Sequence, residues 1–279
     1  MNKAALTNKT HKIAKENGLP FNTVMTHFFL EAILIKLSVS NHANHFIFKG
    51  GMLLSNVLSL SQRTTIDMDF LIRDYPLEET DVWNLFEDIT NSEVYPEVVC
   101  KILSIEPIRE THEYSGYRIK IQCKLENIRQ VVIIDLSAGD PITPGPITYP
   151  YKSVYSTDIT TITAYNLETI LAEKFHTIIN LGISNSRSKD FYDVYAIWKH
   201  KLSQMNINDL RMALINTFNY RKTSLDIDYM LEILDQIATD ARMKSRWNVY
   251  QSRNNFAKGI EFEDTLQSCR TLIQTLFND

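Results

Sequence analysis

Apolar residues recur at helical spacing over residues 22–40, where Met25, Phe28, Phe29, Ile33 and Leu37 fall near one face. FIFK at 46–49 is short and β-prone, and Gly50-Gly51 follows at once. MLLSNVLSL at 52–60 reads as a helix, TIDMDFLI at 65–72 alternates with period two as a strand does, and residues 78–89 read as helix again. Three more strands follow at about 101–108, 116–125 and 130–136. GDPITPGPITYP at 139–150 is dense in Pro and Gly and is expected to be loop.

Near residue 160 the period changes. Asn166 is placed to cap the start of LETILAEKFHTIINL and Gly182 its end. No Pro follows 150, and the pattern is helical to the last residue. The expected architecture is therefore α+β, with an α+β domain over 1–158 and a helical domain over 159–279. Composition changes little in this picture. Over 279 residues, 44% apolar and 22% charged with a formal net charge of −4 is ordinary for a globular chain and excludes a uniformly basic coat, though not a local basic face. Cys100, Cys123 and Cys269 contain no CxxC pair, which points away from a disulfide scaffold or structural zinc site and toward a reducing cytoplasm. The first residues lack the apolar core of a signal peptide, and Phe28–Val39 is too short and too charged to span a bilayer, so no membrane association is expected.

The candidate chemistry is concentrated in residues 48–72. Asp67 and Asp69 are two apart on a strand, so their carboxylates leave one face and repel unless a cation lies between them. Mg²⁺ is a hard cation commonly held by one or two carboxylates plus substrate phosphates. Ile66, Met68 and Phe70 are expected to face the core. Gly50-Gly51, at a strand-to-helix junction, lets a phosphate approach the backbone at a helix N-terminus. Asp135 closes the apolar run VVIID and is either a strand-end cap or a third acid for phosphoryl transfer.

Two later segments carry charge. Lys174 lies beside the apolar stripe Leu167, Ile170, Leu171, Phe175 and Ile178. It either snorkels, pairs with an acid such as Glu173, or acts as a point charge on phosphate. Arg187, Asp190 and Asp193 stand at i, i+3 and i+6 along one helix face, with Lys189 and Asp193 at i, i+4. Phe191, Tyr192, Tyr195 and Trp198 between them suggest that one side is buried. Residues 241–258 hold Arg242, Lys244, Arg246, Arg253 and Lys258 with no acid among them, interleaved with Trp247, Tyr250 and Phe256. This is either a helix with a basic outer face and core aromatics or an RNA contact in which aromatics stack on bases. His42 and His45 have no metal-ligand partner at useful spacing, and no GxSxG, HExxH or GxxxxGK[ST] occurs, against serine hydrolase, zincin and P-loop classes.

KGG (49–51) followed by RTTIDMDF (63–70) resembles the first motif of the DNA polymerase β-like nucleotidyltransferases. LAEK (171–174) followed by RSKDFYD (187–193) resembles the signature of the AbiEii/AbiGii toxin family of bacterial abortive-infection and toxin–antitoxin systems. The resemblance implies a nucleotidyltransferase-like mixed sheet followed by helices. It makes Gly50 and Gly51 the phosphate loop, Asp67 and Asp69 Mg²⁺ ligands, Lys174 a triphosphate-binding cation, and Asp190 a catalytic or supporting acid. Arg187, Lys189 and Asp193 belong to the same last motif. Many members of the wider fold have Gly-Ser where this chain has Gly50-Gly51, so here backbone N–H groups alone must hold the phosphate. The implied reaction moves a nucleoside monophosphate from an NTP to RNA at the tRNA 3′ end, arresting translation in phage defence, with a separate antitoxin as partner. Other acceptors, a protein or small-molecule hydroxyl, and a non-catalytic nucleotide- or RNA-binding module are the rivals. The sequence leaves open whether Asp135 or Asp190 is the base.

Overall fold

The computed structural model describes residues 1–109 and 115–277. They form two compact units, residues 1–139 with 147–164, and residues 140–146 with 165–279.

In the first unit the elements run α1 (Lys3–Asn17), α2 (Phe21–Ser38), β1 (Phe46–Lys49), α3 (Gly50–Leu58), β2 (Asp67–Ile72), α4 (Glu79–Thr90), β3 (Val99–Arg109), β4 (Ser115–Leu125), β5 (Ile128–Ser137), β6 (Ile147–Lys152) and β7 (Ile159–Ala164). Among the described residues the strands make one mixed sheet in the order β3-β4-β5-β2-β1-β7-β6. β2 pairs antiparallel with β1 and parallel with β5. Its alternation drives Met68 and Phe70 into the core, where Phe70 meets Phe46 and Phe48 with ring centroids 5.2 and 5.5 Å apart. Ile66 differs from expectation. It precedes the strand and stands 57% exposed, because the pairing that orients the core face begins at Asp67.

α2 is buried almost all round, so the polar groups it carries inward need partners. Glu31 accepts from Tyr151 Oη, Ser153 Oγ and the Val154 amide at 3.0, 2.7 and 2.7 Å, and Lys36 donates to the Ser92 carbonyl at 2.6 Å. Cys100 and Cys123, far apart in sequence, face each other across β3–β4 as free thiols with sulfurs 3.7 Å apart.

The expected loop over 139–150 is corrected at its end, because residues 147–152 form β6. Pro150 is tolerated there because β6 is an edge strand, where a missing N–H costs least. The expected division at 158/159 falls before β7, whose residues pair with β6 and, at Ala164, with β1.

The second unit holds α5 (Leu167–Leu181), α6 (Ser188–Lys201), α7 (Ile207–Tyr220), α8 (Ile227–Thr239), α9 (Ala241–Arg253) and α10 (Phe262–Phe277). Asn166 caps α5 by accepting the Thr169 amide at 2.7 Å, and its Nδ2 donates to the carbonyls of Thr143 and Gly145 at 2.8 and 2.9 Å. That residue therefore starts the helix and pins the 140–146 segment to it. Among the described residues no single helix is long and apolar enough to cross a membrane.

Candidate active site

β1 runs into α3 with no intervening loop, and the junction is Gly50-Gly51. Gly50 sits at φ +74°, where an L side chain is strained, and a Cβ there would overlap the Asp69 carboxylate. The Gly51 N–H, at the first turn of α3, points at Asp69 Oδ2 at 3.4 Å. A Cβ on Gly51 would stand 3.0 Å from Thr65 Oγ1 and 3.4 Å from the Arg63 guanidinium. Strand pairing thus packs the glycine junction directly against the second carboxylate of the DxD.

Asp67 and Asp69 share one sheet face, and both are half-buried. Thr65 Oγ1 donates to Asp67 Oδ1. Cross-strand register sets Lys49, Asp69, Asp135 and Arg118 side by side on β1, β2, β5 and β4, so all four project from the same face. Asp135 is therefore a neighbour of Asp69. Both its oxygens accept from Arg118, from Nε at 2.8 Å and from a terminal nitrogen at 2.7 Å. This fork, first with Asp135 and then with the field of Asp67 and Asp69, pushes the Arg118 pKa up, so the guanidinium is permanently charged. Arg63, 4% exposed, places a second guanidinium beside Gly51. His27, buried on α2, lies 3.3 Å from Thr64 Oγ1 through Nε2; burial lowers it to about 4 against the opposing effects of the Thr65 backbone and Asp67.

Two carboxylates on one face are an all-oxygen donor set, which suits a hard cation that completes its shell with phosphate and water. Among the described residues no three His, Cys, Asp or Glu side chains converge to hold an ion unaided. The donor set therefore fits a hard cation such as Mg²⁺.

In the second unit Lys174 Nζ lies 2.7 Å from Asp190 Oδ1 and 3.1 Å from Asp193 Oδ2, and Arg187 Nε lies 3.0 Å from Asp190 Oδ2. Both aspartates are fully buried, Lys174 is 13% exposed and Arg187 is 51% exposed. This is a charge-balanced buried cluster joining α5 to α6, not a solvated helix face. Lys189 stands half-exposed in the first turn of α6.

The 241–258 segment is α9 and a short turn. Trp247 is 2% exposed, its Nε1 donates to the Ile260 carbonyl at 2.9 Å, and its ring packs on Tyr250 and Phe262. The expectation that it stacks on a base is corrected, because no ring face is left for one. Arg242 is forked onto Asp240 and Arg246 donates to the carbonyls of Ile183 and Asn185, while Lys244 and Arg253 are exposed.

Sequence reasoning did not single out Arg118, Arg63 or His27. Arg118 had a signal, since the alternation of GYRIKIQCKL puts it opposite the apolar face, but only register reveals which acid it meets.

The sequence profile of the nucleotidyl transferase AbiEii toxins of type IV toxin–antitoxin systems matches residues 32–268. No curated protein matches. Among solved structures, the chain is similar to a candidate nucleotidyltransferase from H. pylori, with 16% identity over 92% of this chain and 96% of that one and a TM-score of 0.51. It is also similar to JHP933 from Helicobacter pylori, with 15% identity over 91% of each chain and a TM-score of 0.48. At such identity the first likeness speaks for the fold, a nucleotidyltransferase-like mixed sheet with a helical C-terminal part. Because the profile spans well over half of the chain, its match and this sheet together place the protein: it belongs to the AbiEii nucleotidyltransferase toxin family of type IV toxin–antitoxin systems.

Proposed function

We propose that the protein transfers a nucleoside monophosphate from an NTP to an RNA hydroxyl, at the tRNA 3′ end, and so blocks translation in the cytoplasm as a phage-defence toxin held in check by its antitoxin. The observation that carries this reading is the packing of the Gly50-Gly51 helix start against Asp69, which brings a phosphate-binding N-terminus and a carboxylate pair into one place.

Asp67 and Asp69 would hold Mg²⁺, which supplies charge neutralisation along the phosphates when bound. The amides at the start of α3 receive phosphate oxygens in place of the side-chain hydroxyl that Gly51 lacks. Arg63 adds fixed positive charge at that end. The acceptor oxygen bonds to the α-phosphorus, the bond from that phosphorus to the bridging oxygen breaks, and pyrophosphate leaves. The acceptor's proton passes to a carboxylate. Asp135 shares Asp69's sheet face and is held by both arms of Arg118, so its oxygens are fixed in direction. Asp190 is the other candidate base. Lys174, with Arg187 and Lys189, is proposed to bind triphosphate oxygens. Its support is the family motif and the fixed position that two buried aspartates impose on Lys174.

The test is incubation with each α-labelled NTP, Mg²⁺ and mixed tRNA, beside Asp67→Asn and Asp69→Asn variants. Label entering tRNA from wild type and absent with both variants is the expected result. Label on a polypeptide, or none from any NTP despite measurable NTP binding, overturns the RNA reading.

A further inference from the structure

The two faces of the sheet differ sharply. Helices α2 and α4 pack on one. The other is open over β3, β4 and β5, where Val99 and Val131 stand 62% and 42% exposed. Register orders this open face in rows. The row of Lys49, Asp69, Asp135 and Arg118 continues to Glu106 on β3. The next holds Asp67, Ile133 and Lys120, and the two beyond hold Lys101 with Val131, then Lys124 with Arg129.

Charge is graded along these rows. The strand carboxylates on this face, Asp67, Asp69, Asp135 and Glu106, all stand at the candidate-site end. Asp135 and Glu106 are neutralised there by Arg118 and Lys120, at 2.7 and 2.8 Å. At the far end Lys101, Lys124 and Arg129 are exposed and, among the described residues, form no ion pair. The one acid in the adjoining turn, Glu126, accepts the Lys3 amide at 2.8 Å. From Asp135 to Arg129 the strand runs about 20 Å at ~3.4 Å per residue.

We infer that the open face of β3–β5 is the docking platform for the nucleic-acid acceptor. Its phosphates lie over Arg129, Lys124 and Lys101, and its terminal hydroxyl reaches the Asp69–Asp135 row. The inference rests on the proposed RNA-directed reaction and adds to it the surface and the strand direction. A polyanion ending in a reactive hydroxyl matches both ends of the gradient, whereas an acidic protein segment would match only the basic end.

The test variant is Lys101→Gln/Lys124→Gln/Arg129→Gln, three exposed positions outside the carboxylate row. Its binding to fluorescent mixed tRNA is followed by anisotropy across a salt series, with thermal melting as the folding control. A comparison variant, Lys244→Gln/Arg253→Gln/Lys258→Gln, removes the exposed charge around α9. Loss of three phosphate contacts predicts binding weaker by at least about tenfold near ~0.1 M salt and a log–log salt slope shallower by about 2. NTP binding should not change. A sheet variant that melts and binds tRNA like wild type overturns the platform, and if it also labels tRNA normally the proposed reaction stands without it. If the slope falls as expected while wild type labels no RNA, the platform stands and the proposed reaction fails. If tRNA binding is intact and only capture of an acidic peptide is lost, the face belongs to a protein partner and the inference is wrong.

Discussion

Replacing Lys174 by Met tests what the buried cluster does. In the native protein two fully buried carboxylates, Asp190 and Asp193, are balanced by Lys174 and Arg187. Methionine keeps the stem's volume and removes the charge, leaving two buried anions against one guanidinium that is itself half in water. Leaving a buried charge without its partner costs about 3–5 kcal/mol. For the helical unit this corresponds to a melting temperature lower by roughly 10 °C. Far-UV circular dichroism melts of wild type, Lys174→Met, and Lys174→Met/Asp193→Asn measure it. The double variant removes one anion with the cation, so it should recover roughly 1–3 kcal/mol, a coupling expected only for groups in contact. If Lys174→Met melts within about 2 °C of wild type, the cluster is not stabilising the unit and this reasoning fails. A stable, folded and inactive Lys174→Met would then assign the charge to ligand rather than to fold.

Three further outcomes follow from the same geometry. Gly50→Ala places a side chain at positive φ, costing about 1–2 kcal/mol, and displaces Asp69, so labelling should fall about a hundredfold in a protein that still folds; Gly145→Ala, with open space around it, should leave labelling unchanged. Burial raises Glu31 above its usual 4.5, so its contribution to stability is complete below pH 4.5 and is lost as pH rises through the raised native value. Denaturant midpoints of Glu31→Gln should therefore gain on wild type as pH rises from 4.5, and a constant difference would refute the sign. In a Trp83→Phe/Trp198→Phe background, emission from Trp247 should stay unquenched by acrylamide and by tRNA; quenching by tRNA would restore the stacking role that its burial denies.

What the sequence determined by itself was local. Period-two alternation placed Asp67 and Asp69 on one face because successive strand side chains must alternate. Capping chemistry placed both ends of α5, since Asn166 offers an acceptor for a first-turn amide and Gly182 accepts positive φ. The glycine junction and the motifs that carry the family were likewise legible as short strings. Other features were decided by pairing between distant segments. β6 was missed because the Pro- and Gly-dense 139–150 segment reads as loop, and only its place at the sheet edge makes Pro150 tolerable; β7 was missed because the period was read as turning helical near residue 160. Asp135 stands beside Asp69 only through the parallel register of β5 with β2, and Arg118 had no assigned partner until β4 lay against β5. Trp247 looked available because its neighbours in sequence are basic, yet Ile260 and Phe262 close over it. Periodicity states which way a side chain leaves its own backbone. What it meets there depends on the register of strands and helices tens of residues away, and that is a property of the packed chain alone.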